Sequence, residues 1–248
     1  QRVDFPVAAP SANTFGHVSP TTAEHVLKDL GERDPSLLIV DGGRCDVGIE
    51  STVIKVVDAN TIEVLRRGKV SVTDVERALG GQFSCRISVR DTRTCCLTAT
   101  TSMDGPGQLL THYSPNVVSR LLTPRSFQQG TSGDSWSGAF VELTSTPSEM
   151  KGVSLKLAVV IDFGGILQCL RGSCLAYLDL SAQSNVEEAC FAVFEALRWS
   201  ETVPEVQLVL FPLISEWSHG CADLELLVAV EDRLFRAASG EVANVHCD

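Results

Sequence analysis

Apolar residues recur along the chain with two different periods, and the changes between them mark out its elements. Ala23, Val26, Leu27 and Leu30 fall at i, i+3, i+4 and i+7, which predicts an amphipathic helix. Ser19 followed by Pro20 reads as its N-cap and first helical position, and Gly31 as a left-handed C-cap. Leu37-Leu38-Ile39-Val40 is a continuous apolar run, as in a strand covered on both faces, and Asp41-Gly42-Gly43 ends it in a turn. An extended segment then runs through Gly48-Ile49-Glu50-Ser51-Thr52-Val53 to Val57. Asp58-Ala59-Asn60 turns the chain, and Thr61 to Leu65 returns with Ile62 and Val64 alternating, so a hairpin is expected. Ser71 and Asp74 cap a short helix carrying Val72, Val75, Ala78 and Leu79, which Gly80-Gly81 stops.

Periodicity is lost from Gln82 to about Gln108, a Thr-, Ser-, Gly- and Arg-rich stretch that reads as a linker ending at His112-Tyr113-Ser114-Pro115. Beyond it strand-like and helix-like units alternate. Val117–Leu122, Leu155–Ile161, Leu175–Leu180 and Val206–Phe211 read as strands. A helix from Val186 to about Trp199 carries Ala189, Cys190, Val193, Phe194 and Leu197 on one face, and another from Asp223 to Ala238 carries Leu224, Leu227, Val230, Leu234 and Ala237. Such alternation predicts an α/β fold with a parallel sheet. Pro124–Gly152 reads as a long mobile loop. Gly164-Gly165 lacks dinucleotide-binding spacing and reads as a plain turn.

Composition narrows the class. With 44% hydrophobic and 21% charged residues the chain is of globular type, and no apolar run approaches the ~18 residues of a membrane span. The nine cysteines are odd in number and irregular in spacing, and fit neither a disulfide framework nor a zinc site. Reduced thiols in the cytoplasm or an organelle follow from that, with the Cys95-Cys96 pair incidental. The net charge of −11 is unevenly spread: residues 1–118 hold 12 Lys+Arg against 14 Asp+Glu, and residues 119–248 hold 8 against 17. The acidic second half is a poor nucleic-acid surface, whereas the first half tolerates a polyanion.

The candidate chemistry lies in small polar clusters. Pro6–Thr21 is a run of hydroxyl and amide side chains feeding a helix N-terminus, a geometry that favours anions, although taken alone it reads as a turn. Pro-Ser-Ala-Asn at 10–13, Ser-Pro-Thr at 19–21, Asp-Gly-Gly at 41–43, Gly-Ile-Glu-Ser-Thr at 48–52, Leu-Arg-Arg-Gly at 65–68 and His-Tyr-Ser-Pro at 112–115 occur in a fixed order. That ordered series resembles the YrdC-like threonylcarbamoyl-AMP synthases in their two-domain form. The resemblance is close over residues 5–81, clear at the linker motif, and extends to 228–240.

The resemblance implies the C-terminal part of a YrdC-like twisted-sheet α/β domain over 1–81, a linker over 82–116 and a Rossmann-like three-layer α/β/α domain over 117–248. It implies an enzyme that makes threonylcarbamoyl-AMP and pyrophosphate from L-threonine, bicarbonate and ATP, with Mg²⁺ accompanying ATP. The product would pass to a tRNA threonylcarbamoyl transferase. On this reading Asn13, Thr21, Arg66, Tyr113 and His112 face ATP, while Ser11 and Ser51 face threonine. No residue is assigned as a catalyst or a metal ligand. Arg67 stands where the family shows proline. Glu50 is expected to cap a turn, and His17 and His25 to be exposed.

The family's basic ATP motif is expected about a hundred residues upstream, by the size of such a domain. This chain is therefore read as the later portion of a longer protein, inactive alone. A non-catalytic nucleotide- or RNA-binding module is the alternative, and the modest charge of residues 1–118 argues against strong RNA binding.

Overall fold

The computed structural model describes residues 4–80, 85–90, 104–105, 109–127, 136, 138–143, 152–217 and 224–246. Its first part is built on the expected hairpin. β1 (Val53–Asp58) and β2 (Thr61–Arg66) pair antiparallel, with Val56 opposite Ile62 and Asp58 opposite Thr61. The register shifts beside the Val53–Arg66 pair, and β2 ends with three consecutive buried residues, Val64, Leu65 and Arg66. A shift of this kind turns side chains that would alternate to the same side.

A strand also forms within the stretch expected to be linker. β3 (Arg86–Val89) lies parallel to β2, with Thr61 opposite Arg86. Four residues are too few for alternation to register in the sequence. Cys95 and Cys96 lie outside the described residues.

Two helices belong to this part, one before the hairpin in the chain and one after it. α1 (Ala23–Leu30) starts later than expected: Thr22 is the N-cap, accepting from the His25 N–H, so Ser19 and Pro20 belong to the extended entry. Gly31 is right-handed, at φ −61°, because the chain continues into further turns at Arg33 and Asp34. α2 (Val72–Leu79) has the expected Ser71–Asp74 capping box and a left-handed Gly80 at φ +60°. The run Leu37–Val40 is not a strand. Nothing among the described residues pairs with it, and Leu38 and Val40 are 87% and 85% exposed. A strand needs a neighbour to hold its backbone groups, which apolar composition cannot supply.

The second part has the predicted parallel sheet. β4 (Ser119–Leu122), β7 (Ala158–Asp162), β8 (Ala176–Asp179) and β9 (Leu208–Pro212) lie in the order β4-β9-β7-β8, every pairing parallel. One face carries Leu121, Val159, Ile161, Val209 and Phe211 against α3 (Val186–Ser200) and α4 (Leu224–Ala237). Ala189, Cys190, Val193, Phe194 and Leu197 of α3 are all buried there, as their spacing requires. Leu224 of α4 is exposed.

The opposite face carries Leu122, Val160, Leu208 and Leu210 against an antiparallel sheet of β10 (Ala243–His246), β5 (Phe140–Leu143) and β6 (Val153–Ser154). Among the described residues this layer is therefore a sheet, not the helices expected there. β5 also falls inside the stretch read as a long mobile loop, where it is held between β6, nearby in the chain, and β10, about a hundred positions later. Gly164-Gly165 is a turn, both residues at positive φ, with both N–H groups donated to the Asp179 carboxylate at 3.0 and 2.9 Å. Among the described residues, no helix is long and apolar enough to cross a membrane.

The core on the helical face does not stop at the second part. Val18, Ile49 and Tyr113, from three loops of the first part and the linker, are buried in the same cluster as Phe194, Val230 and Leu234. These three plugs set where the polar residues beside them stand.

Candidate functional site

Glu50 is the point on which the polar residues converge. It lies between the buried Ile49 and the exposed Ser51, and its side chain is largely covered. One carboxylate oxygen accepts from Ser19 Oγ at 3.0 Å. The other accepts from Arg66 Nη1 at 3.0 Å and from the Tyr113 hydroxyl. Arg66 spans both motif residues: its Nε donates to the Ser51 carbonyl at 3.1 Å and its Nη2 to Ser51 Oγ at 3.3 Å. A guanidinium fork that engages a carboxylate and a hydroxyl together is fixed in orientation as well as charge.

Glycine makes this approach feasible. A Cβ on Gly68 would lie 2.4 Å from both the Glu50 carbonyl oxygen and the Thr52 nitrogen, so the Arg66-to-Gly68 turn can lie on the Glu50–Thr52 backbone only without one.

The linker motif is pinned from both sides. Ser114 N donates to the Gly16 carbonyl at 3.0 Å, and His112 N to the Arg236 carbonyl at 3.4 Å. Ser114 Oγ reaches the Ala237 carbonyl at 3.2 Å, and Arg236 donates to the Leu109 carbonyl. Tyr113 is fully buried at a backbone φ of +59°, a left-handed conformation that costs a bulky residue on the order of 1 kcal/mol or more. Its ring packs 5.3 Å from that of Phe194, and burial pushes its phenol well above the ordinary range. His112 stands edge-on to Tyr113 at 4.1 Å, and burial holds its imidazole below the ordinary value.

Of the residues named from sequence, Ser51, Arg66, Tyr113 and His112 are therefore gathered in one place. Asn13 is used differently: its amide donates to the Thr14 and His17 carbonyls at 3.0 and 2.9 Å, shaping the Pro6–Thr21 loop, while its Oδ1 is buried without a partner. Ser11 is exposed and outside the network. Thr21 is buried elsewhere, its hydroxyl 3.2 Å from His25 Nδ1 and 3.4 Å from Glu195. The four polar residues Ser11, Asn13, Ser51 and Arg66 do not line one cavity within the described residues; Ser51 and Arg66 do meet.

Two residues escaped the sequence reading. Glu50 joins every strand of the network where only a turn cap was expected. Its signal was its place inside the Gly48–Thr52 cluster, with Ser and Arg motifs on either side in the chain. His17, expected to be exposed, is buried between Asp29 and Glu201, at 2.9 and 2.7 Å. Nothing in its neighbourhood in sequence marks it, because Glu201 is 184 residues away.

Among the described residues no group of three His, Cys, Asp or Glu is disposed to hold a metal, and both Glu50 oxygens are engaged by protein donors. These residues do not fit a resident Mg²⁺.

Comparison with known proteins bears on this arrangement. A family model described as telomere recombination matches residues 1–68, and one described as threonylcarbamoyl-AMP synthase, C-terminal domain, matches residues 70–239. The threonylcarbamoyl-AMP synthase of Schizosaccharomyces pombe is 38% identical over 117 residues, 46% of this chain and 27% of that protein. The Bacillus subtilis protein of the same name is 37% identical over 114 residues, 46% of this chain and 30% of that protein. The matched regions thus cover less than a third of these relatives. The crystal structure of P. abyssi Sua5 complexed with L-threonine has the same fold, with a TM-score of 0.62 at 22% identity, covering 96% of this chain and 59% of that one.

Proposed function

We propose, for a chain that belongs to the threonylcarbamoyl-AMP synthase family, that it contributes to a site that joins L-threonine, bicarbonate and ATP into threonylcarbamoyl-AMP, pyrophosphate and water. In that reaction the threonine amine and bicarbonate condense to a carbamate with loss of water, a carbamate oxygen attacks the α-phosphorus, and the bond from that phosphorus to the α,β-bridging oxygen breaks as pyrophosphate leaves. Such a displacement asks for in-line placement and for cationic charge against the phosphates. Arg66 supplies the charge, Ser51 a hydroxyl for the amino acid, and Tyr113 with His112 the lid over the nucleotide. Asn13 and Thr21 meet ATP, and Ser11 meets threonine, from the Pro6–Thr21 loop. Mg²⁺ belongs to this reading as the companion of ATP, not as a ligand of these residues. The product would go on to a tRNA threonylcarbamoyl transferase.

The observation that carries the reading is the convergence of Ser19, Arg66 and Tyr113 on one carboxylate, Glu50, with the Ser51 hydroxyl held by the same Arg66 guanidinium. The relative of known structure with L-threonine bound adds weight to threonine as the amino acid. The test is ATP-dependent transfer of labelled bicarbonate into a threonine adduct by the complete protein. Synthesis that falls at least tenfold in Ser51→Ala and Arg66→Ala is expected, the scale of losing a placed polar contact. No adduct from the complete wild-type protein would remove the proposal.

A further inference from the structure

Arg233 is a residue the proposed chemistry has not used. It lies on α4, fully buried, on the arc that also buries Val230, Leu234 and Ala237. Its Nη1 is accounted for by the Ala229 carbonyl at 3.3 Å and Asp232 at 3.5 Å, but Nε and Nη2 have no hydrogen-bond partner. A buried guanidinium with two orphan donors is expensive, and an apolar residue of similar volume in its place is often neutral or stabilising. The cost is offset by only two things on this side of the residue. Its carbon Cζ lies 5.6 Å over the Tyr113 ring, in cation–π range, and its Nη2 is 4.0 Å from the Glu50 oxygen that also receives the Tyr113 hydroxyl.

The same helix grips the linker on both sides of the tyrosine. Arg236 holds Leu109, and the Arg236 and Ala237 carbonyls hold His112 and Ser114. Tyr113, between them, is met by α4 through the face of its ring, and it is the member in a strained left-handed conformation. Three guanidiniums, those of Arg66, Arg233 and Arg236, stand here with two carboxylates, Glu50 and Asp232, which leaves room in the local charge balance for a bound anion.

We propose that Arg233 is a positioning residue: from the second domain, through the Tyr113 ring face and Glu50, it sets the place of the linker tyrosine over the site. This gives the second domain a part in the chemistry beyond covering a sheet face. The inference rests on the synthase reading for its consequence in turnover, but not for the placement of Tyr113 itself.

The test uses the complete protein labelled with 3-fluorotyrosine, the Tyr113 resonance being the one absent from Tyr113→Phe. In Arg233→Met that resonance is expected to shift or broaden before any substrate is added, and kcat to fall ten- to a hundredfold with smaller changes in KM, the effect of a misplaced group. Arg233→Lys should restore part of both. A Tyr113 resonance unmoved in both variants overturns the proposal. If the resonance moves while the wild-type protein makes no adduct, the synthase reading fails and the positioning stands. Should Arg233→Met not fold, Arg233→Lys decides, since an ammonium cannot bear on the ring face and Glu50 together; an unchanged resonance there is equally fatal.

Discussion

Asp29 of α1 and Arg198 of α3 meet in a two-pronged ion pair, Nη1 to Oδ1 and Nη2 to Oδ2 each at 2.9 Å, with both side chains almost wholly buried. Arg198 also donates to the Val18 and Ser19 carbonyls, so one guanidinium ties the entry of α1, its body and the second domain together.

Removing one partner of this pair leaves the other charge buried. Arg198→Met is expected to destabilise the protein by about 3 kcal/mol or more, whereas Asp29→Asn combined with Arg198→Met should cost less than the sum of the two single changes. Urea unfolding of the four proteins measures both, and strict additivity would show that the pair contributes nothing as a pair.

The histidine next to this pair makes stability depend on pH. Burial pushes His17 down, but hydrogen bonds and charge from Glu201 and Asp29 outweigh it, and its value lies above the ordinary 6.5. A raised folded value means that the contribution is complete below about pH 6.5 and fades as pH rises through the folded value. Asp29 runs the other way. Burial opposes its ionisation, yet Arg198 and His17 hold it down to about 2, so its contribution is present above 3.8 and is lost as pH falls toward 2. Melting temperatures across pH 3 to 9 should therefore decline on both limbs, and His17→Gln should flatten the alkaline limb; an alkaline decline unchanged in that variant would exclude His17 as its source.

Gly48 packs against the second domain with no space to spare. At φ +83° an added Cβ would stand 2.3 Å from the Cys190 carbonyl oxygen and 2.4 Å from the Phe191 Cα, both backbone atoms of α3. Gly48→Ala is expected to cost more than about 2 kcal/mol, through strain and displacement together. Gly43→Ala, also at positive φ (+87°) but in open space, should cost only about 1 kcal/mol. Equal losses in thermal unfolding would mean that the contact with α3 does not matter.

Asp162, at the end of β7, is completely buried and accepts from the Phe163 and Leu167 N–H groups at 2.7 and 2.8 Å and from the Tyr177 hydroxyl at 2.5 Å. Burial raises its carboxyl above the ordinary value, against the pull of these donors. Tyr177→Phe removes one donor while keeping the ring, and should destabilise by about 1 to 3 kcal/mol. Asp162→Asn in the Tyr177→Phe background tests the cause: it should recover part of the loss, and a further loss would show that the carboxylate itself is not the burden.

Much of the architecture was legible because it is written in short-range pattern. The stripes of α3 and α4, the hairpin around Asp58–Asn60, the Ser71 cap and the apolar cores of β4, β7, β8 and β9 each follow from residues within one element, and each is present. The ordered motifs likewise pointed to Ser51, Arg66, His112 and Tyr113, which do meet. What could not be read was anything that needed a distant partner. β5 exists because β10 lies beside it, Leu37–Val40 is not a strand because nothing among the described residues does, and the N-cap fell to Thr22 from among three neighbouring hydroxyl residues.

By itself, then, the sequence settled the kinds of element and the family of chemistry, since periodicity and motif spacing are properties of neighbouring residues. Tertiary structure decided which carboxylate became the hub, which histidine was buried between two acids, and that an arginine of the last helix reaches the linker tyrosine. Those outcomes depend on burial and on pairs such as His17 with Glu201 or Glu50 with Arg233, brought within reach only when Val18, Ile49 and Tyr113 seat in the second domain's core.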